Sequence, residues 1–158
     1  MAHLHSSEQG DRPLILLIEN DEADVFLFRR ALSKMDFRGD LRVVGSASEA
    51  RACMENTRAY QDTEYYRTPD LIVSDFRLGG PTALEFLRWI RSSKYAAVPV
   101  VILSGAVRVS DVPQLTEAGI KELIYKNPDV TVLAERLQAL LPIVWMSLFT
   151  TGILHCAA

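Results

Sequence analysis

Polar side chains able to hold a cation and a phosphoryl group stand at the ends of four short apolar runs. The segment Glu19–Asp21 follows the first of these runs, and Asp75, Ser104 and Lys126 stand at the ends of three others. A carboxylate cluster suits Mg²⁺, which binds a few carboxylates and keeps several waters. An aspartate beside the metal can attack a phosphoryl group, and a lysine and a hydroxyl can hold the phosphate oxygens. The residue types therefore indicate transfer of a phosphoryl group to an aspartate.

The apolar runs themselves predict five β-strands. They are short, and most lack alternation of polar and apolar residues, which is typical of parallel strands buried on both faces. The predicted strands are Leu14–Ile18, Leu41–Val44, Asp70–Asp75, Val98–Ser104 and Glu122–Tyr125.

Helical patterns separate these strands. Val25, Phe28, Leu32 and Met35 recur at steps of three and four residues, so they define one apolar helix face. The other helix signals are capping boxes at Ser46–Glu49 and Thr82–Glu85, a start at Ser110–Pro113 with a stop at Gly119, and a last helix carrying Leu133, Leu137, Leu140 and Leu141 that Pro142 interrupts.

The order of these elements predicts a three-layer α/β domain. Strands that alternate with helices form parallel sheets through right-handed crossovers. In such a sheet the carboxyl ends of all strands meet at one edge, where ligands bind. A single aspartate at a strand end is usually only a helix cap or a loop residue. The joint placement of Glu19, Asp75, Ser104 and Lys126 instead favours one shallow pocket with a shared chemistry.

Four segments of the chain resemble the receiver domain of two-component response regulators. They are residues 15–24 (ILLIENDEAD), 69–75 (PDLIVSD), 100–105 (VVILSG) and the stretch from Ala118 to Lys126. The resemblance extends from Leu14 to about Leu141. It implies a flavodoxin-like (βα)5 three-layer sandwich with the parallel strand order 2-1-3-4-5. It also implies phosphorylation by a sensor histidine kinase with Mg²⁺ bound.

The resemblance also implies roles for particular residues. Asp75 corresponds to the phosphoacceptor, Ser104 to the hydroxyl that bonds the phosphoryl group, and Lys126 to the lysine that pairs with its oxygens. The implied metal ligands are Glu19, Asn20, Asp75 and the backbone carbonyl of Arg77. Such a protein takes part in its own phosphorylation and dephosphorylation, and we do not expect it to be an enzyme otherwise.

Several positions depart from the family pattern, including Gly79 and Ala83, where the family commonly has a proline and a glycine. Asn20 stands where the second residue of the acidic pair is usually Asp, and Leu123 stands where the fifth strand usually carries a switch aromatic. Asn127 separates Lys126 from Pro128, which usually follow each other directly. These departures leave open a second function, that of a degenerate receiver that acts as a docking module without phosphorylation.

A phosphatase with an aspartyl-phosphate intermediate and a similar layered fold is a third function class. Such an enzyme would carry a second aspartate two residues after the nucleophile. Arg77 stands at that spacing after Asp75, which argues against this class.

The end of the sequence is apolar and uncharged. No Asp, Glu, Lys or Arg occurs after Arg136. The stretch Leu137–Leu154 approaches the length of a membrane span, about 17–25 residues, but Pro142 and the absence of a following basic flank argue against a span. We expect residues 142–158 to form a dimer interface. Packing on the chain's own domain and contact with a membrane are the alternatives.

A narrower resemblance concerns the single-domain response regulators of bacterial phytochromes. The chain shares with them a long connector at residues 56–68 that carries tyrosines and a tail that contains Trp145. Such regulators are homodimers through their last helix and its extension. The resemblance therefore implies a homodimer and a phytochrome as the partner kinase. No effector domain is recognised after the receiver, so we expect a stand-alone receiver.

Composition bounds the remaining function classes. The 158 residues carry a net charge of −3, which does not favour a nucleic-acid partner. The two cysteines and three histidines exclude a disulfide scaffold and do not favour a zinc site. Residues 1–12 are polar and lack the apolar core of a signal peptide, so we expect a flexible N-terminus and a cytoplasmic location. Residues 13–141 are then the receiver domain, and residues 142–158 its extension.

Overall fold

The computed structural model describes residues 12–55, 67–78 and 82–152, with only the backbone described for residues 143–152. Within these ranges five strands alternate with five helices. The strands are β1 (Leu14–Ile18), β2 (Asp40–Val44), β3 (Leu71–Asp75), β4 (Val100–Ser104) and β5 (Glu122–Tyr125). The helices are α1 (Glu22–Lys34), α2 (Ala47–Met54), α3 (Ala83–Ser92), α4 (Val112–Glu117) and α5 (Val130–Gly152). Some predictions concern residues outside the described ranges: the N-terminus up to residue 11, which is predicted to be flexible, the tyrosines of the connector, and the last residues of the tail.

The strands form one parallel sheet in the order β2-β1-β3-β4-β5. β1 pairs with both β2 and β3, and β4 pairs with both β3 and β5. The register places Asp75 of β3 opposite Leu103 of β4, and Ser104 opposite Tyr125 of β5. The predicted flavodoxin-like (βα)5 fold and its strand order are therefore confirmed.

The inner strands are buried along their whole length, as their continuous apolar runs predict. Every residue of β1, β3 and β4 is buried, whereas β2 and β5 at the edges keep exposed or partly exposed residues. β4 begins two residues later than predicted. Val98 donates its backbone N–H to the carbonyl of Tyr95 and so belongs to a turn before the strand.

Side-chain caps begin α2 and α3 at the predicted residues. Thr82 and Glu85 make both hydrogen bonds of the predicted capping box at α3. At α2 only half of the predicted box forms. Ser46 accepts the backbone N–H of Glu49, but the Glu49 carboxylate accepts the N–H of Gly45 instead of that of Ser46. The carboxylate thus stabilises the turn before α2 as well as the helix.

Two apolar clusters fill the two sides of the sheet. One contains Ile15 of β1, Phe28 of α1 and Leu137 of α5. The other contains Leu16, the next residue of β1, together with Phe86 of α3. Because successive side chains of a strand point to opposite faces, each apolar run supplies both clusters. Because both faces of the sheet are covered, polar groups are placed more easily at the ends of the strands.

The last helix runs further than the sequence predicts. α5 extends from Val130 to Gly152 and contains Pro142 in its interior, so the prediction that Pro142 interrupts this helix is wrong. A proline inside a helix removes one hydrogen bond to the carbonyl four residues earlier. Pro142 and Gln138 are both exposed, so water can satisfy the freed carbonyl. Within the described residues, no helix is long and apolar enough to cross a membrane.

Substitution of Leu137 measures how much the packing of α5 stabilises the domain. This side chain is fully buried in the cluster that α1 and α5 share, and Leu137→Ala leaves a cavity there. We expect the free energy of unfolding to fall by about 2–5 kcal/mol, measured by urea denaturation followed by circular dichroism. Gln138→Ala is the control because Gln138 is exposed on the same helix. Equal losses for the two variants would contradict this packing.

Candidate functional site

The predicted pocket lies at the carboxyl edge of the sheet. Glu19 directly follows β1, Asp75 and Ser104 are the last residues of β3 and β4, and Lys126 directly follows β5. Only four polar or charged residues of the described chain are buried, and three of them are Glu19, Asp75 and Ser104. Burial of polar groups costs free energy unless they are paired. Their concentration at one edge is therefore typical of a functional site.

Lys126 is the centre of this site. Its ammonium nitrogen Nζ lies 2.7 Å from Glu19 Oε2, 2.6 Å from Asp24 Oδ2 and 3.3 Å from Asp75 Oδ1. The first two contacts are charge-assisted hydrogen bonds, and the third is an ion pair. The backbone N–H of Lys126 also donates to the carbonyl of Ser104 at 2.8 Å. One lysine therefore links the carboxyl ends of β1, β3 and β4 to that of β5.

The turn between β1 and α1 fixes two of these carboxylates. Glu19 Oε1 accepts the backbone N–H of Asp21 at 2.9 Å, which leaves Oε2 for Lys126. Asp21 is the N-cap of α1, and its carboxylate accepts the N–H groups of Ala23 at 2.8 Å and Asp24 at 3.1 Å. Asp24 is thereby held in the first turn of α1, from which its own carboxylate reaches Lys126.

The surrounding acids keep Lys126 charged. Burial by itself would lower the pKa of this ammonium, because a low dielectric disfavours the charged form. The hydrogen bonds to Asp24 and Glu19 and the charge of Asp75 outweigh burial, so the pKa of Lys126 lies well above its ordinary value. The site therefore carries a permanent positive charge beside Asp75.

The other predicted site residues lie around this centre. Ser104 is buried, and its Oγ accepts the backbone N–H of Ala106 at 3.3 Å. Asn20 and Arg77 are exposed and follow Glu19 and Asp75 by one and two residues. All six predicted residues thus lie at or next to the carboxyl edge. Their individual roles stay predictions.

The carboxylates of Glu19 and Asp75 suit a hard cation. Among the described residues, no group of three or more His, Cys, Asp and Glu side chains could hold a metal ion by itself. Mg²⁺ needs no such cage, because it usually binds one or two carboxylates and keeps several waters. The donor set therefore fits Mg²⁺ and does not fit a four-ligand zinc site.

Asp24 is the residue of the site that the sequence argument missed. It belongs to a helix and not to a strand end, and it lies 102 residues before Lys126 in the chain. Its signal was an acidic residue in the first turn of the helix that leaves the same sheet edge. That position is also a common place for an acid that merely complements the helix dipole, so the sequence could not assign Asp24 to the site.

A parallel sheet in this order, with acids and a lysine at its carboxyl edge, defines a receiver-type domain. The chain matches the family described as response regulator receiver domain over residues 15–138, and it therefore belongs to this family. Response regulators interact with sensor histidine kinases, and phosphorylation by such a kinase is the general function of the family. Receiver domains in general bind Mg²⁺.

Individual relatives agree with this assignment. The KDP operon transcriptional regulatory protein KdpE of Escherichia coli K12 is 30% identical over 128 residues, which are 80% of this chain and 50% of KdpE. The chain thus spans about half the length of that curated relative. The phosphorylated cyanobacterial phytochrome response regulator RcpA has a TM-score of 0.71 and 25% identity, over 82% of this chain and 91% of RcpA. The bacteriophytochrome response regulator RtBRR has a TM-score of 0.67 and 27% identity, over 79% and 76% of the two chains.

The raised pKa of Lys126 predicts how stability depends on alkaline pH. A lysine with a higher pKa in the folded state contributes its full stability below its unfolded pKa, about 10.4. That contribution is lost as the pH rises toward the folded pKa. We expect Lys126→Met to unfold at a lower urea concentration than the natural chain near neutral pH. The loss should be about 1–3 kcal/mol, below the ~3–5 kcal/mol of a fully buried pair, because Lys126 keeps 20% of its side chain exposed.

The test compares the free energies of unfolding of the two chains across the alkaline range. The difference should stay constant up to about pH 10 and shrink above it. Lys121→Met is the control, since Lys121 is exposed, and it should leave stability nearly unchanged at each pH. A Lys126→Met difference that grew with alkaline pH would contradict the raised pKa.

Proposed function

We propose that this chain accepts a phosphoryl group on Asp75 from a sensor histidine kinase, with Mg²⁺ bound, and relays the signal by changing its contacts with other proteins. The observation that carries the proposal is the position of Asp75, buried at the end of β3 with Oδ1 3.3 Å from the ammonium of Lys126. Such a carboxylate supplies the nucleophile, and the lysine beside it supplies charge for the incoming phosphate. Asp75 keeps 10% of its side chain exposed, which leaves an approach from the edge of the sheet.

In the proposed reaction an oxygen of the Asp75 carboxylate forms a bond to phosphorus. The bond from phosphorus to the leaving group breaks at the same centre, and the leaving group is a histidine nitrogen of the kinase or the acetate of acetyl phosphate. Lys126 pairs with the phosphoryl oxygens, because its ammonium already lies beside Asp75. Ser104 is the last residue of the neighbouring strand β4, and its hydroxyl bonds the phosphoryl group.

The proposed metal ligands are Glu19, Asn20, Asp75 and the backbone carbonyl of Arg77. When bound, Mg²⁺ neutralises charge on the phosphoryl oxygens. Asn20 contributes a neutral oxygen where the family usually has a carboxylate, so Glu19 and Asp75 supply the negative charge of this ligand set. Glu19 is held for this role by the N–H of Asp21.

A docking module that works without phosphorylation is the second candidate function. It is favoured by Asn20, which adds no charge to the metal site, and by Leu123, which replaces the usual aromatic of β5. Leu123 is partly buried and packs against the apolar cluster that contains Leu115 of α4. It has no ring that could turn between a buried and an exposed position.

We further propose that the partner kinase is a phytochrome. RcpA and RtBRR, two structural neighbours at 25% and 27% identity, are a phytochrome and a bacteriophytochrome response regulator. The tyrosine-bearing connector and the tryptophan of the tail support the same partner at the level of sequence.

Phosphorylation of Asp75 can be tested with acetyl phosphate and Mg²⁺ by intact-mass spectrometry. We expect the mass to rise by one phosphoryl group, and we expect Asp75→Asn to abolish the increase because it removes the nucleophile. Asp40→Asn is the matched control, since Asp40 is exposed at the first residue of β2, on the opposite edge of the sheet. Chelation of Mg²⁺ should reduce the adduct strongly. An unmodified natural chain at every Mg²⁺ concentration would favour the docking module.

We also propose that the chain forms a homodimer through α5 and the tail. The first part of α5 packs into the domain with buried Leu133, Leu137, Leu140 and Leu141. The helix continues for 11 residues after Leu141, to Gly152. That continuation carries no charged residue, and burial against a second copy is the usual outcome for such a segment.

Light scattering of two shortened chains tests the dimer. A chain that ends at Leu141 keeps the buried leucines and loses the uncharged continuation, and we expect it to be a monomer. A chain that ends at Gly152 keeps all of α5, and we expect it to be a dimer like the full chain. Circular dichroism checks that both shortened chains are folded. The same number of subunits for the full chain and the chain that ends at Leu141 would contradict the proposal.

A further inference from the structure

Lys126 contacts both carboxylates that the proposed metal site requires. Its ammonium lies 2.7 Å from Glu19 Oε2 and 3.3 Å from Asp75 Oδ1. Glu19 Oε1 accepts the N–H of Asp21, so Lys126 contacts the oxygen of Glu19 that accepts no backbone hydrogen bond. Ammonium and metal therefore compete for the same two acids.

Asp24 offers Lys126 a partner outside the proposed ligand set. Its Oδ2 lies 2.6 Å from the ammonium, the shortest of the three contacts. Its side chain is 31% exposed, against 2% for Glu19 and 10% for Asp75. The greater exposure makes Asp24 the carboxylate that needs a cation least, because water also solvates it. Asp24 can therefore hold the ammonium of Lys126 and leave Glu19 and Asp75 available to a cation.

We propose that Asp24 is a positioning residue that holds Lys126 beside Asp75 while Glu19 and Asp75 bind a divalent cation. This inference rests on the proposed function. An ammonium has three N–H donors, so Lys126 can give up Glu19 and keep its hydrogen bond to Asp24 and its ion pair with Asp75. Without Asp24, the only acids left to Lys126 in this cluster are the two that bind the metal. The ammonium then competes with the cation more strongly.

The charge of the cluster supports this division of roles. Glu19, Asp24 and Asp75 are three carboxylates around one ammonium, and their net charge of two negative units is neutralised by one divalent cation. Because Asn20 is neutral, Asp24 supplies the third carboxylate that this charge balance with a divalent cation needs. Two carboxylates and the ammonium alone would leave a single negative charge.

Binding of Mn²⁺ in place of Mg²⁺ tests the inference without any phosphoryl transfer. Electron paramagnetic resonance of free Mn²⁺ gives the dissociation constant for the full chain and for each variant. We expect Asp24→Asn to weaken binding roughly tenfold, and the charge control Glu22→Gln to weaken it less than about twofold. Glu22 is the matched control because it is an exposed acid in the same first turn of α1.

The same two substitutions are then repeated in a Lys126→Met chain. This background removes the competing ammonium, so Lys126→Met alone should bind Mn²⁺ more tightly than the natural chain. In it, Asp24→Asn should weaken binding much less than it does with Lys126 present, because only the loss of a nearby negative charge remains. Thermal unfolding followed by circular dichroism checks that every variant is folded.

The outcomes separate this inference from the proposed function. If Asp24→Asn matches Glu22→Gln with Lys126 present, or if the effect of Asp24→Asn is undiminished in the Lys126→Met chain, the positioning role is wrong. The metal site and the phosphorylation of Asp75 could then still be correct. If the natural chain and the Lys126→Met chain bind no Mn²⁺, the competition and the proposed metal site are both wrong.

Discussion

The ammonium of Lys126 is the contact on which the arrangement of the site depends. It joins carboxylates from the turn after β1, the first turn of α1 and the end of β3. Three acids so close together repel each other, and the buried ones lose hydration as well. A single cation that contacts all three offsets both costs. The same cation lies where an incoming phosphoryl group would need positive charge.

The apolar sheet explains why these groups meet at its edge. β1, β3 and β4 are buried on both faces, so their side chains cannot be polar without losing hydration. Inside these strands the one buried polar residue is Ser74, whose hydroxyl donates to the carbonyl of Asp75. The other buried polar residues lie where a strand ends and the chain turns. Parallel pairing brings these ends to one side of the sheet, and Glu19, Asp75, Ser104 and Lys126 follow from that geometry.

α1 connects the site to the remainder of the domain. Its first turn carries Asp24, which contacts Lys126, and its buried face with Phe28 shares a cluster with Leu137 of α5. The helix proposed to form the dimer therefore packs on the helix that carries the positioning residue. A rearrangement around Lys126 and a change at α5 would both act on α1.

The sequence by itself determined the strands, the fold and the residue types at the sheet edge. These depend on local patterns: a continuous apolar run predicts a buried parallel strand, and β1 and β5 have the predicted bounds. Besides the later start of β4, two local predictions failed. Pro142 lies within α5, where water can satisfy the carbonyl that lost its hydrogen bond. The carboxylate of Glu49 accepts the backbone N–H of Gly45 instead of that of Ser46.

Only the tertiary structure decided which acids contact Lys126. Asp24 and Lys126 are 102 residues apart in the chain, and Glu19 and Lys126 are 107 apart. Their meeting depends on the turn after β1, the N-cap at Asp21 and the position of β5 in the sheet together. An acid in the first turn of a helix looks the same in sequence whether it faces water or a lysine. The direction of its side chain is set by packing between elements, which no local pattern encodes.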